Sequence, residues 1–276
     1  MKRFTGRTLP VLVVLAVAAV GCGAVGAPRS SVTVTASPED TTPEAGPTRT
    51  SPGTSPGTPP GTATPAPRGG LVAGRYQPLW PFSTPGEAMA WREAYRRDGR
   101  QAWHLDARRT AVAFSRDYLG FTEIDQVAKS VRTGDHARVH VAYNAEEGPR
   151  LLVAAVVHLV RYGTGEDAPW EVVGTDDTAF SLTRPPYGAV VRSPLAVGGR
   201  ITGVDESIRV QVRRPGSRTP VGESCCVGAG GTDASWSARV AFKTPPGRTL
   251  TVVVSTGGHV ATVERFAVTG VNVPPS

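Results

Sequence analysis

Two of the chain's three cysteines, Cys225 and Cys226, stand side by side in GESCCVGAGG, residues 222–231. Adjacent thiols admit four chemistries: a redox pair, part of a metal clip, a vicinal disulfide, or two independent thiols. Two thiolates without neighbouring ligands close no tetrahedral metal site. A redox pair ordinarily has two residues between its cysteines. A bridge between neighbours works against geometry, because Cα atoms joined by a trans peptide lie ~3.8 Å apart while disulfides favour ~4.4–6.8 Å. In a regular strand the two side chains would also face opposite ways. The bridge therefore needs a distorted turn, and Gly228, Gly230 and Gly231 supply residues that tolerate one. The vicinal disulfide Cys225–Cys226 is the expectation, with two free thiols as the alternative.

The other residues able to do chemistry are scattered. His136 and His140 are four apart, the spacing of two metal ligands on a helix, yet they lie in an alternating strand pattern with no carboxylate or cysteine cluster beside them. They are expected as a solvent-facing pair, and His158, inside VVHLV, as a core histidine. Trp103-His-Leu-Asp106 joins an aromatic ring, an imidazole and a carboxylate, but a helix N-terminus accounts for Asp106. Gly174–Asp177 (GTDD) reads as a turn, since the spaced oxygen ligands of a calcium loop are missing. Nucleophile-elbow, zinc-protease, P-loop and dinucleotide-fingerprint motifs are absent. No catalytic residue, metal or cofactor is expected, and the chain is read as a non-enzyme.

Charge is more informative. The formal net charge is +7. From Arg184 onward there are eleven basic and five acidic residues, net +6, whereas residues 75–183 are slightly acidic. Arg209, Arg213, Arg214 and Arg218 gather around one strand and the turn after it, a candidate anion-binding face. Outside a cell such a face would attract teichoic-type polymers or lipid head groups. A solvated arginine edge that blocks sheet aggregation is the alternative.

Two kinds of periodicity position these residues. Over 76–183 the helical pattern comes first. Thr84 or Ser83 caps a helix with Pro85 in its first turn and Glu87 three residues after Thr84, a capping-box signature. Ala88, Trp91 and Tyr95 share one face. Asp106 caps a second helix, in which Ala107, Ala111, Phe114 and Tyr118 repeat the spacing up to Gly120. The period then becomes two in ARVHVAY, LLVAAVVHLVRY and WEVVGT. Helices followed by antiparallel strands predict an α+β domain, helices packed on a curved antiparallel sheet. The order resembles nuclear-transport-factor-like and cystatin-like architectures at the level of fold. A pocket in this domain would make the chain a small-ligand-binding protein or an enzyme, the alternative functional reading.

Over 184–276 seven short alternating segments recur between turn signals, which predicts an all-β sandwich. Ile208, Val210 and Val212 are expected to point inward and Arg209, Gln211 and Arg213 outward. Trp236, Ala238, Val240 and Phe242 form a second inward row, and Leu250, Val252 and Val254 a third.

The first 21 residues resemble a lipoprotein signal peptide. Lys2, Arg3 and Arg7 precede an apolar run from Leu9 to Val20 that is too short for the roughly 20 residues a bilayer span needs. Ala18–Cys22 (AAVGC) is similar to a bacterial lipobox. That resemblance implies that Cys22 carries a diacylglycerol thioether with palmitate-type chains and becomes the mature N-terminus. Residues 22–75 form a Pro/Thr/Gly-rich stretch without the apolar groups to offset its ordering entropy, and a disordered tether is expected. Lipidation of Cys22 leaves Cys225 and Cys226 as an even pair in an oxidising compartment.

VVRSPLAVGGRI with the strands SIRVQV and SWSARVAF and the closing VERFAVTGVNV resembles the immunoglobulin-like domain of bacterial spore-germination proteins. Ser193-Pro194-Leu195 and Gly198-Gly199 carry most of the likeness. It implies an extracytoplasmic immunoglobulin-like β-sandwich that binds or organises partners, with no catalytic residues to transfer. The Cys…Trp…Cys core of antibody domains is missing. The expected protein is a lipoprotein lipid-anchored to the extracytoplasmic face of the cell membrane. Its expected partners are the membrane itself and anionic cell-wall polymers or another envelope protein, with nucleic acid excluded by export.

Overall fold

A computed structural model describes residues 76–146 and 148–275. The expected signal peptide, Cys22 and the tether over 22–75 lie outside the described residues. All described residues belong to one compact unit.

The first sheet runs in the order β1-β2-β3-β4, all antiparallel: β1 Gln126–Thr133, β2 His136–Asn144, β3 Leu151–Arg161 and β4 Trp170–Asp176. One face carries Val139, Val141, Val157, Leu159 and Val172, all buried without exposure. The other carries polar groups, because the register pairs Arg138 with His158 and Val160 with Glu171. The second sheet has the order β6-β5-β7-β8, from β5 Leu195–Arg213, β6 Pro220–Val240, β7 Thr249–Thr256 and β8 Arg265–Asn272.

Two α-helices accompany the sheets: α1 Pro85–Asp98, 14 residues, and α2 Ala107–Ala113, 7 residues. Both N-termini follow from the sequence. Thr84 Oγ1 accepts from the Glu87 N–H at 3.2 Å, and Glu87 Oε2 accepts from the Ser83 N–H at 2.6 Å. Asp106 Oδ1 accepts from the N–H groups of Arg108 and Arg109. Gly99, at φ +70°, ends α1 and donates its N–H to the Tyr95 carbonyl. Beyond α2 the helical path loosens into a π-turn at Phe114–Tyr118.

The expected fold class, an α+β domain with helices on a curved antiparallel sheet followed by an all-β immunoglobulin-like sandwich, is corrected. The protein is mainly β, two four-stranded antiparallel sheets with two short α-helices. The helices do not form a layer. Only Ala88 and Trp91 of α1 are buried, and they pack with Phe82, Val160, Tyr162 and Val173. Ala111 of α2 packs into the core on the opposite face of the sheet. That core is completed by Val253, Phe266 and Val268 of β7 and β8. A sheet therefore meets a sheet where a helical layer was expected, and β7 is buried along nearly its whole length.

The seven short strands expected after residue 184 are also corrected. LAVGGRI and SIRVQV are one 19-residue strand, β5, and VGES and SWSARV are one 21-residue strand, β6. The glycines and aspartates between them read as turns, but pairing continues across bulges, with Gly203 opposite Gly231 and Glu206 opposite Ala229. Asp205 and Asp233, at φ +52° and +50°, absorb the distortion. The bulges bend the hairpin back on itself, so that the Lys243 N–H reaches the Val221 carbonyl at 3.1 Å. Ile208, Val210 and Val212 then face Trp236, Val240 and Phe242 across one core, together with Leu250, Val252 and Val254.

Candidate functional site

The structure brings the cysteine pair and part of the arginine set to one cleft of about 400 Å³ on the second sheet. Strand alternation builds its floor. Ser207, Arg209, Gln211 and Arg213 form one row along β5, Ser255 of β7 is paired with Arg209, and Glu223 of β6 is paired with Gln211. One wall is the segment Cys225–Cys226. The facing wall comes from Leu119–Phe121, beyond the π-turn, and from Gly257, Thr262 and Val263 after β7.

Cys225 and Cys226 are joined as a vicinal disulfide, with Cα atoms 3.7 Å apart. Cys226 lies at φ +69°, the left-handed backbone that a pair facing one side requires. Both residues are exposed.

The four arginines divide into different roles. Arg213 is 5% exposed. Its guanidinium donates to the carbonyls of Tyr118 at 2.9 Å, Leu119 at 3.1 Å and Arg218 at 3.0 Å, and to Gln211 Oε1 at 2.6 Å. It clamps the π-turn onto β5, and burial pulls its pKa below the ordinary 12.5. Arg209 is half exposed in the cleft and ion-paired with Glu223. Arg214 and Arg218 are exposed at the turn between β5 and β6.

The histidines fall on the polar face of the first sheet. His136 Nδ1 and His158 Nε2 are 3.0 Å apart. Tyr76 presses edge-on against both rings. Burial, helped by Arg138 and His136, lowers the His158 pKa to about 3. His140 is half-buried on the same face. A crevice of about 260 Å³ beside His158 is bordered by Tyr76, Tyr187 and Asp177. Trp103 stacks on Trp80, and His104 turns into the core between Phe82 and Trp91. Among the described residues no group of three or more His, Cys, Asp or Glu converges as metal ligands do.

Sequence reasoning missed the most perturbed carboxyl. Glu171 is fully buried, accepts one hydrogen bond from the Phe82 N–H at 3.2 Å, and has its other oxygen unpartnered. Burial raises its pKa well above 4.5, against the Phe82 N–H, which lowers it. Nearby His104 is 3% exposed with Nδ1 unpartnered, and burial lowers its pKa to about 4. The one signal in the sequence was a charge inside WEVVGT, a run otherwise rich in buried-strand residues.

No protein family, curated protein or solved structure matches the chain. Among the described residues no helix is long and apolar enough to cross a membrane.

Proposed function

We propose that the chain is a membrane-anchored extracytoplasmic lipoprotein, a non-enzymatic module that binds or scaffolds a component of the cell envelope. The observation that carries this reading is the leader of Lys2 to Val20 ending in Ala18–Cys22, followed by a tether with almost nothing to bury. A lipid at Cys22 and 53 further residues to position 75 would hold the folded part away from the bilayer. As a flexible coil such a tether spans roughly 40 Å. The exposed Arg214 and Arg218 at the β5–β6 turn add a cationic tip that anionic wall polymers would meet first.

Cys22→Ala tests the anchor. The variant is expected in the medium or as an uncleaved precursor, while the parent chain sediments with membranes. A variant that fractionates and migrates like the parent removes the anchoring reading. The cationic tip is tested by retention on immobilised teichoic-type polymer at low ionic strength. Retention should weaken with added salt and fall in the Arg214→Gln, Arg218→Gln double variant. Retention that ignores both changes assigns polymer binding elsewhere.

A further inference from the structure

Both arginines in the 400 Å³ cleft are already engaged by protein groups, although the strand that floors it is rich in arginine. Arg213 spends its guanidinium on the Tyr118, Leu119 and Arg218 carbonyls and on Gln211. Arg209 is neutralised by Glu223. What remains are groups that recognise hydroxyls. Ser207 and Ser255 flank Arg209 in the strand register. Gln211 gives its carbonyl oxygen to Arg213, which leaves its amide NH₂ free to donate. The Arg209–Glu223 pair offers a donor and an acceptor side by side, the arrangement that two adjacent hydroxyls of one ligand can bridge. Thr262 adds a hydroxyl on the facing wall.

Apart from Thr256, the remaining side chains of the lining are apolar. Phe121 and Val263 stand on one side and the Cys225–Cys226 ring on the other. Phe121 is braced by Phe266, with ring centroids 5.3 Å apart. A ligand with a hydroxyl-bearing edge and a flat C–H face matches both halves of this lining. The volume falls within the ~300–1,000 Å³ of small-molecule sites.

We infer that the cleft is a binding site for a neutral saccharide, seated with adjacent hydroxyls on the Arg209–Glu223 pair and its ring face against Phe121 and the vicinal disulfide. An anion is the poorer ligand, because it must compete with Glu223 for Arg209 and would meet that carboxylate directly. The site is separate from the cationic tip at Arg214 and Arg218 and does not depend on anchoring.

Calorimetric or NMR titration of the purified mature chain tests the inference, with N-acetylglucosamine and a glucose disaccharide as neutral probes. Glucuronate and inorganic phosphate are the anionic probes. Saturable binding of a neutral probe is expected, tighter than either anion by tenfold or more. Arg209→Gln and Ser255→Val should each weaken it by about tenfold. Ser207→Trp, at an exposed position, should fill the cleft and abolish it while the thermal midpoint stays within a degree or two of the parent. No saturable neutral binding overturns the inference, as does glucuronate or phosphate binding as tightly as the neutral probe. Neutral binding that survives Ser207→Trp places the ligand elsewhere and overturns it equally. Loss of anchoring in Cys22→Ala leaves these measurements unaffected, so the two readings fail separately.

Discussion

The polar face of the first sheet and the polar face of the second use similar side chains for opposite ends. On the second sheet, Arg209, Gln211 and Ser255 line an open cleft, Arg209 is ion-paired with Glu223, and the buried cation Arg213 has its donors paired. On and beside the first sheet, Glu171 and His158 of its strands and His104 of the turn Ala102–Leu105 are desolvated, and Glu171 and His104 each keep an unpartnered atom. Burial of an ionisable group shifts its pKa until the neutral form is retained, whereas a fully hydrogen-bonded ion stays charged. The first sheet thus stores proton-dependent stability, and the second presents a surface ready for a ligand.

Arg213 and Arg209 give the sharpest way to break this comparison, since they sit four residues apart in one row of β5. Arg213→Ala removes the donors to the Tyr118 and Leu119 carbonyls and leaves both buried, which costs about 3 kcal/mol. Arg209→Ala deletes an exposed ion pair and should cost no more than about 0.5 kcal/mol. Urea unfolding at fixed pH reads both. Equal costs would show that Arg213 is not the clamp its hydrogen bonds describe, and the distinction between buried and open arginines would collapse.

The same two residues mark where sequence reasoning stops. Alternation places Ile208, Val210 and Val212 in the core, and all three are fully buried. It also assigns Arg209, Gln211 and Arg213 to one outward face, and they do share a face. That face turns to solvent at Arg209, but at Arg213 it is covered by the turn around Tyr118 and Leu119, some 95 residues away. Period-two patterns report which side a residue takes, not what lies above it. Helix starts at Thr84 and Asp106 were legible because a cap is chemistry within four residues. The fold class was not. Whether the apolar face of the first sheet meets helices or the β7–β8 pair depends on contacts between residues more than 90 apart, such as Thr175 with Val268. The bulges of β5 and β6 carry the same glycine and aspartate signals as chain reversals, so one bent hairpin looks like separate strands. β1 left little trace because six of its eight residues are exposed and it has no alternating core. Glu171 is the plainest case. A lone carboxylate in an apolar strand carries no mark of being sealed beneath Phe82.

The first sheet's proton-linked groups are tested by the pH dependence of stability, a smaller effect per unit. A group displaced between its folded and unfolded pKa tilts stability by about 1.4 kcal/mol per pH unit. His104 and His158 have folded pKa values of about 4 and about 3, below the ordinary 6.5. Between those values and 6.5 the unfolded chain holds the extra protons, so stability falls as the pH drops below 6.5. Glu171 has the opposite sign. Its folded pKa lies well above 4.5, so the folded chain holds the extra proton and stability falls as the pH rises from 4.5 towards that value. From 4.5 to 6.5 the two histidines outweigh the one carboxyl, and stability rises with pH. Glu171 offsets part of that rise up to its own raised pKa. Other displaced groups stay outside this window: Asp167, held at about 2 by Arg92 and Arg96, acts only below the ordinary 3.8. Tyr118, Tyr162 and Tyr187, pushed up to about 12 by burial, act only above 10. Midpoints of urea unfolding should therefore rise from pH 4.5 towards 6.5. Glu171→Gln should steepen that rise, because the opposing carboxyl is gone. His104→Phe should make it shallower. A slope unchanged in Glu171→Gln would mean that Glu171 ionises as freely as an exposed carboxyl, and the contrast between the two polar faces would lose its physical basis.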